Sequence, residues 1–309
     1  MSYERKMLED LKMPTRREIE QALLKSLFNH NGVIKEFGAG EKIVEEIAND
    51  FGLNEEQRTA CLETIYKKEN RVKYSYLWHR LLFRAADSLA KEKLVSRPSQ
   101  TILLTNKKEW MLTEDGYNRI LEILHIPLTQ KEILPIKSYE VQKIVKKICK
   151  QKRPENYNPF ENNKKNVKIT REAKLRNRAF RQAIKEAYDF KCAVCGMKIY
   201  SPHTLQWEVE AAHIVPHRSN GKDDILNGLA LCRLHHWAFD VGWFTLEDNF
   251  QILASRKIQD LSADFGKMGN YDFMGQLSKE NLIISLPEEQ DIHPHPNAIK
   301  WHRENIFYR

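Results

Sequence analysis

Two ligand couples constrain this chain more than any other feature: Cys192-Ala-Val-Cys195 and Cys232-Arg-Leu-His235. Gly196 follows the first couple and permits the tight turn that aims both sulfurs at one point. Three thiolates and one imidazole make a Cys3His set, sufficient for a closed tetrahedral zinc site. Zinc suits this donor set because thiolate and imidazole are among its preferred ligands and the ion has no redox chemistry. Such an ion ties distant parts of the C-terminal half together, so its role is structural and its loss should unfold the domain. A redox Cys-x-x-Cys is the competing reading, but no thioredoxin-like strand–helix unit surrounds it. From spacing alone, His236 competes with His235 for the fourth position.

The rest of the chain bounds the setting. It has 309 residues, room for two ordinary domains, and 41% hydrophobic residues, enough for packed cores. Lys and Arg number 50 against 42 Asp and Glu, giving a net charge of +8. That balance suits a polyanion, with nucleic acid the leading candidate, although a generally charged soluble surface would read the same way. The N-terminus lacks the apolar stretch of a secretory signal, and no window resembles a membrane span. Five cysteines, three of them near histidines, do not form a disulfide framework. A reducing, cytoplasmic location without membrane contact is expected. Cys61 and Cys149 are expected in helices, buried and inert.

Helix-period segments dominate the N-terminal part. "PTRREIEQALLKSLFNHNG" places Ile19, Leu23, Leu27 and Phe28 on one stripe, with Pro14 before it and Gly32 after it. "AGEKIVEEIANDFGL" repeats the pattern, and "NEEQRTACLETIYKK" reads as a third helix capped by Asn54 with Gln57 three residues on. A long helix follows over 74–92. "TILLT" and "EWMLT" then read as two strands joined by "NKK", and "EDGYNRILEIL" as a further helix. Helices, a two-stranded ribbon and a last helix suggest a winged helix.

"MPTRREIEQALLKSLFNHNGVIK", "IVEEIANDFGLNEEQ" and "WMLTEDGYNRI" resemble the N-terminal winged-helix domain of Mrr-type restriction proteins over about 110 residues. Trp110, Leu112, Thr113 and Gly116 match its wing pattern, while Glu109 stands where that family has Gly. The resemblance implies that the 74–92 helix enters the DNA major groove. Arg80, Arg84 and Lys91 would then contact DNA, with Lys107 and Lys108 at the wing tip. Each of these charges, taken singly, also fits a solvated face.

Residues 127–170 differ in character. "IKSYEVQKIVKKICKQKR" reads as a basic helix and "PENYNPFENNKKN" as a linker. Basic residues continue through Lys164, Lys165, Lys168, Arg171, Lys174, Arg176, Arg178 and Arg181. Part of this run lies on a helix whose apolar side carries Leu175, Ala179, Phe180 and Ile184. The charges would line a phosphate-tracking surface or an ordinary exposed face.

The C-terminal motifs are sharper. "AHIVP", "NGLALC" and "LCRLHH" fall, in order, on the positions of the ββα-metal fold called HNH. The resemblance covers nearly all of 172–309, and "EAAHIVPH…NGLALCRLHHWAFDVGWFTL" with "HPNAIKWHRENIF" is similar to prokaryotic HNH restriction endonucleases. It sets His235 on the second zinc cysteine of the family and His236 on its final histidine, so the two neighbours should serve different ions. It implies His213 as general base, Asn227 as the residue holding the loop in register, and His236 with Asp240 as ligands of Mg2+ or Mn2+. A neutral imidazole takes a proton from water near pH 7, and residues four apart share a helix face. The family's first metal residue is here Ala212; Glu210, two residues back on the same strand face, is the expected substitute ligand. The implied products are a 5′-phosphate and a 3′-hydroxyl. His217 reads as a phosphate contact or an exposed loop residue, and His293, His295 and His302 as structural or DNA-contacting. Trp237, Phe239, Trp243 and Phe244 are expected as core beneath the site.

The sequence therefore predicts an α+β chain with three parts. These are a mainly helical winged-helix recognition domain (1–126), a basic helix and linker (127–170), and a zinc-stabilised ββα-metal HNH nuclease domain (171–309). The leading function is a restriction endonuclease acting on double-stranded DNA by a one-metal mechanism. Pairing of the two domains suggests cleavage that depends on a modified base, and an enzyme for unmodified sites is the near alternative. One such site cuts one strand, so a double-strand break needs a homodimer or two events. A zinc-stabilised DNA-binding regulator with an inactive HNH site is the non-enzymatic alternative. An RNA-cleaving toxin ranks last, because no RNA-binding module is evident.

Overall fold

The computed structural model describes residues 3–37, 41–66, 71–132, 134–161, 171–202, 206–262, 265–279 and 281–309. The chain forms two compact units, Met1–Gln142 and Lys143–Arg309.

In the first unit, α1 (Tyr3–Asp10) precedes α2 (Arg16–Asn29). Thr15 caps α2: its hydroxyl accepts the Glu18 amide, and the Glu18 carboxylate accepts the Thr15 amide at 2.8 Å. Beyond this start, Ile19, Leu23, Leu24 and Leu27 point into the core. Then come β1 (Val33–Lys35), α3 (Lys42–Asp50) and α4 (Glu55–Thr59). The hairpin β2 (Cys61–Tyr66) and β3 (Arg71–Tyr76) leads into α5 (Leu77–Lys91). The unit continues through β4 (Val95–Ser96), α6 (Pro98–Thr105), β5 (Glu109–Leu112) and α7 (Glu114–Ile123). An antiparallel sheet in the order β1-β5-β4 packs beside the helices. Gly32, at φ +87°, makes the turn into β1, where a Cβ would lie 2.1 Å from the Lys137 carbonyl.

Three expectations are corrected here. The helix read over 54–68 ends at Thr59 despite its capping box, and the chain turns into the β2–β3 hairpin, Cys61 opposite Tyr76. "CLETIY" holds β-branched and aromatic residues that favour extended pairing. "TILLT" is helical, because Pro98 at the first helical position starts α6 ahead of it, and β4 takes its place beside β5. Cys61 is exposed on a strand rather than buried in a helix.

The division between units falls within α8 (Tyr139–Cys149), the expected basic helix. Burial, aided by the charges of Glu186 and Glu289, pushes the half-buried Cys149 thiol up to about 11. Residues 153–161, partly read as linker, belong to the second unit and pack within it. Tyr157 is buried there, and its carbonyl accepts a 2.8 Å hydrogen bond from Asn297. Lys164, Lys165 and Lys168 lie outside the described residues.

The second unit holds α9 (Arg171–Ala187), β6 (Val209–His213), β7 (Gly228–Cys232) and α10 (Arg233–Asp240). It continues with β8 (Phe244–Leu246), β9 (Ile252–Ala254), β10 (Lys267–Met268), β11 (Tyr271–Asp272), α11 (Phe273–Leu277) and α12 (Pro296–Asn305). β6 and β7 pair antiparallel from Val209↔Cys232 to His213↔Gly228, and α10 starts directly after β7. Helix α9 presses on this hairpin through Phe180 and Ile184. A Cβ at Gly228 would meet Ile184 Cδ1 at 2.3 Å, so a larger residue there would force Ile184 to shift. Phe239 and Phe244 are core, as expected, and Trp243 is half-buried. Trp237 is not core: it is exposed, because α10 turns Ala238 and Phe239 inward and leaves it on the outer side. His302 has a structural role. It stacks on Phe239 at 3.7 Å, donates from Nε2 to the Phe239 carbonyl at 3.1 Å, and accepts at Nδ1 from the Thr245 hydroxyl at 2.9 Å. His295 caps α12, and His293 contacts the Pro287 carbonyl at 2.8 Å.

Candidate functional site

The turn that follows α9, the β6–β7 hairpin and α10 build two polar clusters. In the first, the ligating atoms of Cys192, Cys195, Cys232 and His235 all lie within 4.8 Å of one another. Cys195 Sγ is 4.0 Å from Cys232 Sγ, and His235 Nδ1 is 3.0 Å from Cys232 Sγ and 3.6 Å from Cys192 Sγ. Sulfur ligands at about 2.3 Å from a tetrahedral ion would be roughly 3.8 Å apart, so the set fits zinc. Gly196 takes φ +71° to close the first couple. Among the described residues this is the one group of three or more Cys, His, Asp or Glu ligands drawn together this closely. Contacts with Cys195, Cys232 and His235 lower the Cys192 thiol while the coupled Cys232 is raised, so the set favours a thiolate shared within the cluster.

The second cluster centres on His236. Its Nδ1 is 3.0 Å from Glu210 Oε2 on β6, and its Nε2 is 3.5 Å from Asp240 Oδ2, one helical turn on. Burial opposes a charge on His236, but the Glu210 hydrogen bond and the Asp240 and Glu210 charges outweigh it and raise its pKa. The His236 hydrogen bond holds Glu210 below its usual range. Burial raises Asp240, against the lowering charges of His236, Arg218 and His213. Those influences put His213 and Arg218 within electrostatic reach of Asp240. Burial also lowers the Lys185 ammonium on α9, which senses Arg181 and Glu210.

His213 ends β6. Its ring stacks on Phe180, centroids 4.1 Å apart at 18°, and its Nε2 is 2.9 Å from Asp223 Oδ1. Asn227, fully buried, accepts the Val215 amide at 2.9 Å and donates to the carbonyls of Val215 at 3.1 Å and Lys222 at 3.0 Å. It therefore pins both ends of the loop that follows His213. Gly221 allows this closure, since a Cβ there would lie 1.7 Å from the Val215 carbonyl oxygen. His217 is exposed, its ring centroid 6.2 Å from that of His213. Ala212, where a carboxylate was absent, is fully buried. Asp223, Arg218 and Lys185 had no role in the sequence reading. Lone charged residues in a loop or on a helix carry no spacing signal.

In the first unit, Glu4 takes up two of the expected DNA contacts: Arg84 Nη2 lies 3.0 Å and Arg80 Nη2 3.6 Å from its Oε2. Lys91 pairs with Asp87 at 3.0 Å, and Lys107 and Lys108 are exposed between α6 and β5. No helix among the described residues is long and apolar enough to cross a membrane.

A family model described as HNH endonuclease matches residues 192–247, the segment that holds the Cys3His set, His213, Asn227, His236 and Asp240. No curated protein matches the chain. Among solved structures, a "Modification dependent TagI restriction endonuclease" is similar over 41% of this chain and 37% of that one, at 20% identity and a TM-score of 0.30. The chain thus spans well under two thirds of that protein's length.

Proposed function

We propose that the second unit is an endonuclease that hydrolyses DNA phosphodiester bonds with one catalytic divalent ion, and that a zinc ion in the Cys3His set holds the unit together. The observation that carries this reading is the common origin of His213, Asn227, His236 and Asp240 on one hairpin, loop and helix inside the matched HNH segment. His236 Nε2 and Asp240 Oδ2, 3.5 Å apart, fit two ligands of one ion, which at about 2.1 Å each would be roughly 3 Å apart. A bound Mg2+ or Mn2+ would stabilise charge on the phosphate and on the departing 3′ oxygen. Glu210 occupies the other ring nitrogen of His236, so it serves as an outer carboxylate that fixes ring orientation rather than as a third ligand. His213 takes the proton of the attacking water, Asn227 holds the loop, and Arg218 is available to the phosphate. The products are a 5′-phosphate and a 3′-hydroxyl.

The first unit is read as a winged helix that recognises DNA. Support comes from its antiparallel β1-β5-β4 sheet packed with α2 and α5, and from exposed Lys107 and Lys108. Arg80 and Arg84 would exchange Glu4 for phosphate. The working division remains 1–126 for recognition, 127–170 for connection and 171–309 for cleavage. Together these parts describe a restriction enzyme, with dependence on a modified base as its specific form and dimerisation as the route to double-strand breaks. A buried alanine at position 212 favours one rival, a DNA-binding regulator without activity.

The test is digestion of matched DNAs that are unmodified or carry N6-methyladenine, 5-methylcytosine or 5-hydroxymethylcytosine, with Mg2+ or Mn2+ and with EDTA. Metal-dependent cuts with 5′-phosphate ends support the endonuclease, and preference for one DNA identifies the modification. Intact DNA in every arm supports the regulator.

A further inference from the structure

Resting on the hydrolytic reading of His213, we infer that Asp223 is the positioning residue of the base: its carboxylate fixes the His213 tautomer and stabilises the imidazolium formed during reaction. Asp223 Oδ1 lies 2.9 Å from His213 Nε2, and each side chain is 16% exposed. An ionised carboxylate only accepts, so Nε2 carries the proton and donates it, which leaves the lone pair on Nδ1. Phe180 covers one face of the ring at 4.1 Å and 18°, which limits its rotation away from Asp223.

The backbone that carries this carboxylate is held on both sides. Asp223 sits between Lys222, whose carbonyl accepts from Asn227 at 3.0 Å, and Asp224, whose Oδ1 accepts from the Leu226 amide at 2.9 Å and from Gln151 at 2.8 Å. The adjacent acids thus divide their work. Asp224 caps the short Ile225–Asn227 turn, and Asp223 reaches the base. Asn227 acts through both ends of this loop, tying Val215 beside the base to Lys222 beside its partner.

In the step served, the water oxygen bonds to phosphorus as one water proton passes to His213 Nδ1. The P–O3′ bond breaks, its electron pair leaving on the 3′ oxygen. The ring becomes a cation facing a carboxylate that has stayed ionised, which lowers the cost of that charge in a partly desolvated site.

The experiment uses the full zinc-loaded chain, Mn2+ and a plasmid that the wild type cuts. Asp223→Ala should lower kcat roughly 10²–10⁴-fold with KM and zinc content unchanged, Asp223→Glu should recover part of the loss, and Asp223→Ala should add nothing in a His213→Ala background. Side-chain 15N NMR should find the His213 proton on Nε2 in the wild type and redistributed in Asp223→Ala. Unchanged kcat, additive double-variant losses, or a wild-type proton on Nδ1 would overturn the inference. If the wild type cuts no DNA, the hydrolytic reading falls and takes the catalytic part with it. The NMR result then still decides whether Asp223 sets the tautomer.

Discussion

His235 and His236 are chain neighbours whose rings belong to different clusters. His235 Nδ1 is 3.0 Å from Cys232 Sγ, whereas His236 Nδ1 is 3.0 Å from Glu210 Oε2. Adjacent helical residues diverge by about 100°, and α10 uses that divergence to put His235 on its buried side and His236 toward β6. A structural ion and a catalytic ion would therefore sit on different faces of one helical turn, about 100° apart, each addressable by its own mutation.

Cys195→Ala should release zinc and destabilise residues 143–309 by at least about 3 kcal/mol, because zinc binding free energy is folding free energy in such sites. His236→Ala should keep its zinc and melt close to wild type. Metal analysis with thermal denaturation reads both. A Cys195→Ala protein that keeps wild-type melting would remove the structural role from the Cys3His set.

His213→Ala should reduce plasmid cutting roughly 10²–10⁴-fold while DNA binding, followed by gel shift, and zinc content stay at wild-type levels. The ring supplies neither a zinc ligand nor a backbone tie, so its loss leaves the loop pinned by Asn227. Zinc loss in this variant would contradict the assignment.

Legibility varied with the kind of signal. Strand β6 ending near Ile-x-Pro, helix α10 and the Cys3His set follow from motifs whose spacing is itself geometric, since x-x couples and i,i+4 pairs fix separations. Helices α2, α8 and α9 follow from amphipathic period. The β2–β3 hairpin did not, because the capping box at Asn54 signals where a helix starts and says nothing of its length, and this one is a single turn that ends at Thr59. "TILLT" has the composition of a strand, and one proline decides against it. Asp223 was invisible for a different reason: its value lies in a contact across ten residues of loop, which no periodicity encodes.

Glu210→Gln should raise the Mn2+ concentration needed for half-maximal cutting roughly 10–100-fold, the usual cost of losing an outer carboxylate behind a ligating histidine. Full activity should return at saturating Mn2+. Asp240→Ala, which removes a proposed ligand, should not be rescued. A Glu210→Gln enzyme inactive at all metal concentrations would instead make Glu210 a direct ligand.

His302 should make stability depend on pH. Burial depresses its pKa from 6.5 to about 4, against the opposing hydrogen bond to the Phe239 carbonyl. Between those values the unfolded chain takes up a proton that the folded one refuses, so stability rises with pH there. The contribution is complete above about 6.5, declines as the pH falls, and is gone below about 4; its size is roughly 3 kcal/mol. Acid would also strip the proposed zinc from the Cys3His set, but equally so in a His302→Gln variant, whose amide can still donate to Phe239 and accept from Thr245. Urea unfolding of both proteins from pH 7.5 to 4 should therefore show the wild type losing more stability than the variant, by about that amount. A difference that stays constant with pH would mean that His302 is not held neutral by burial.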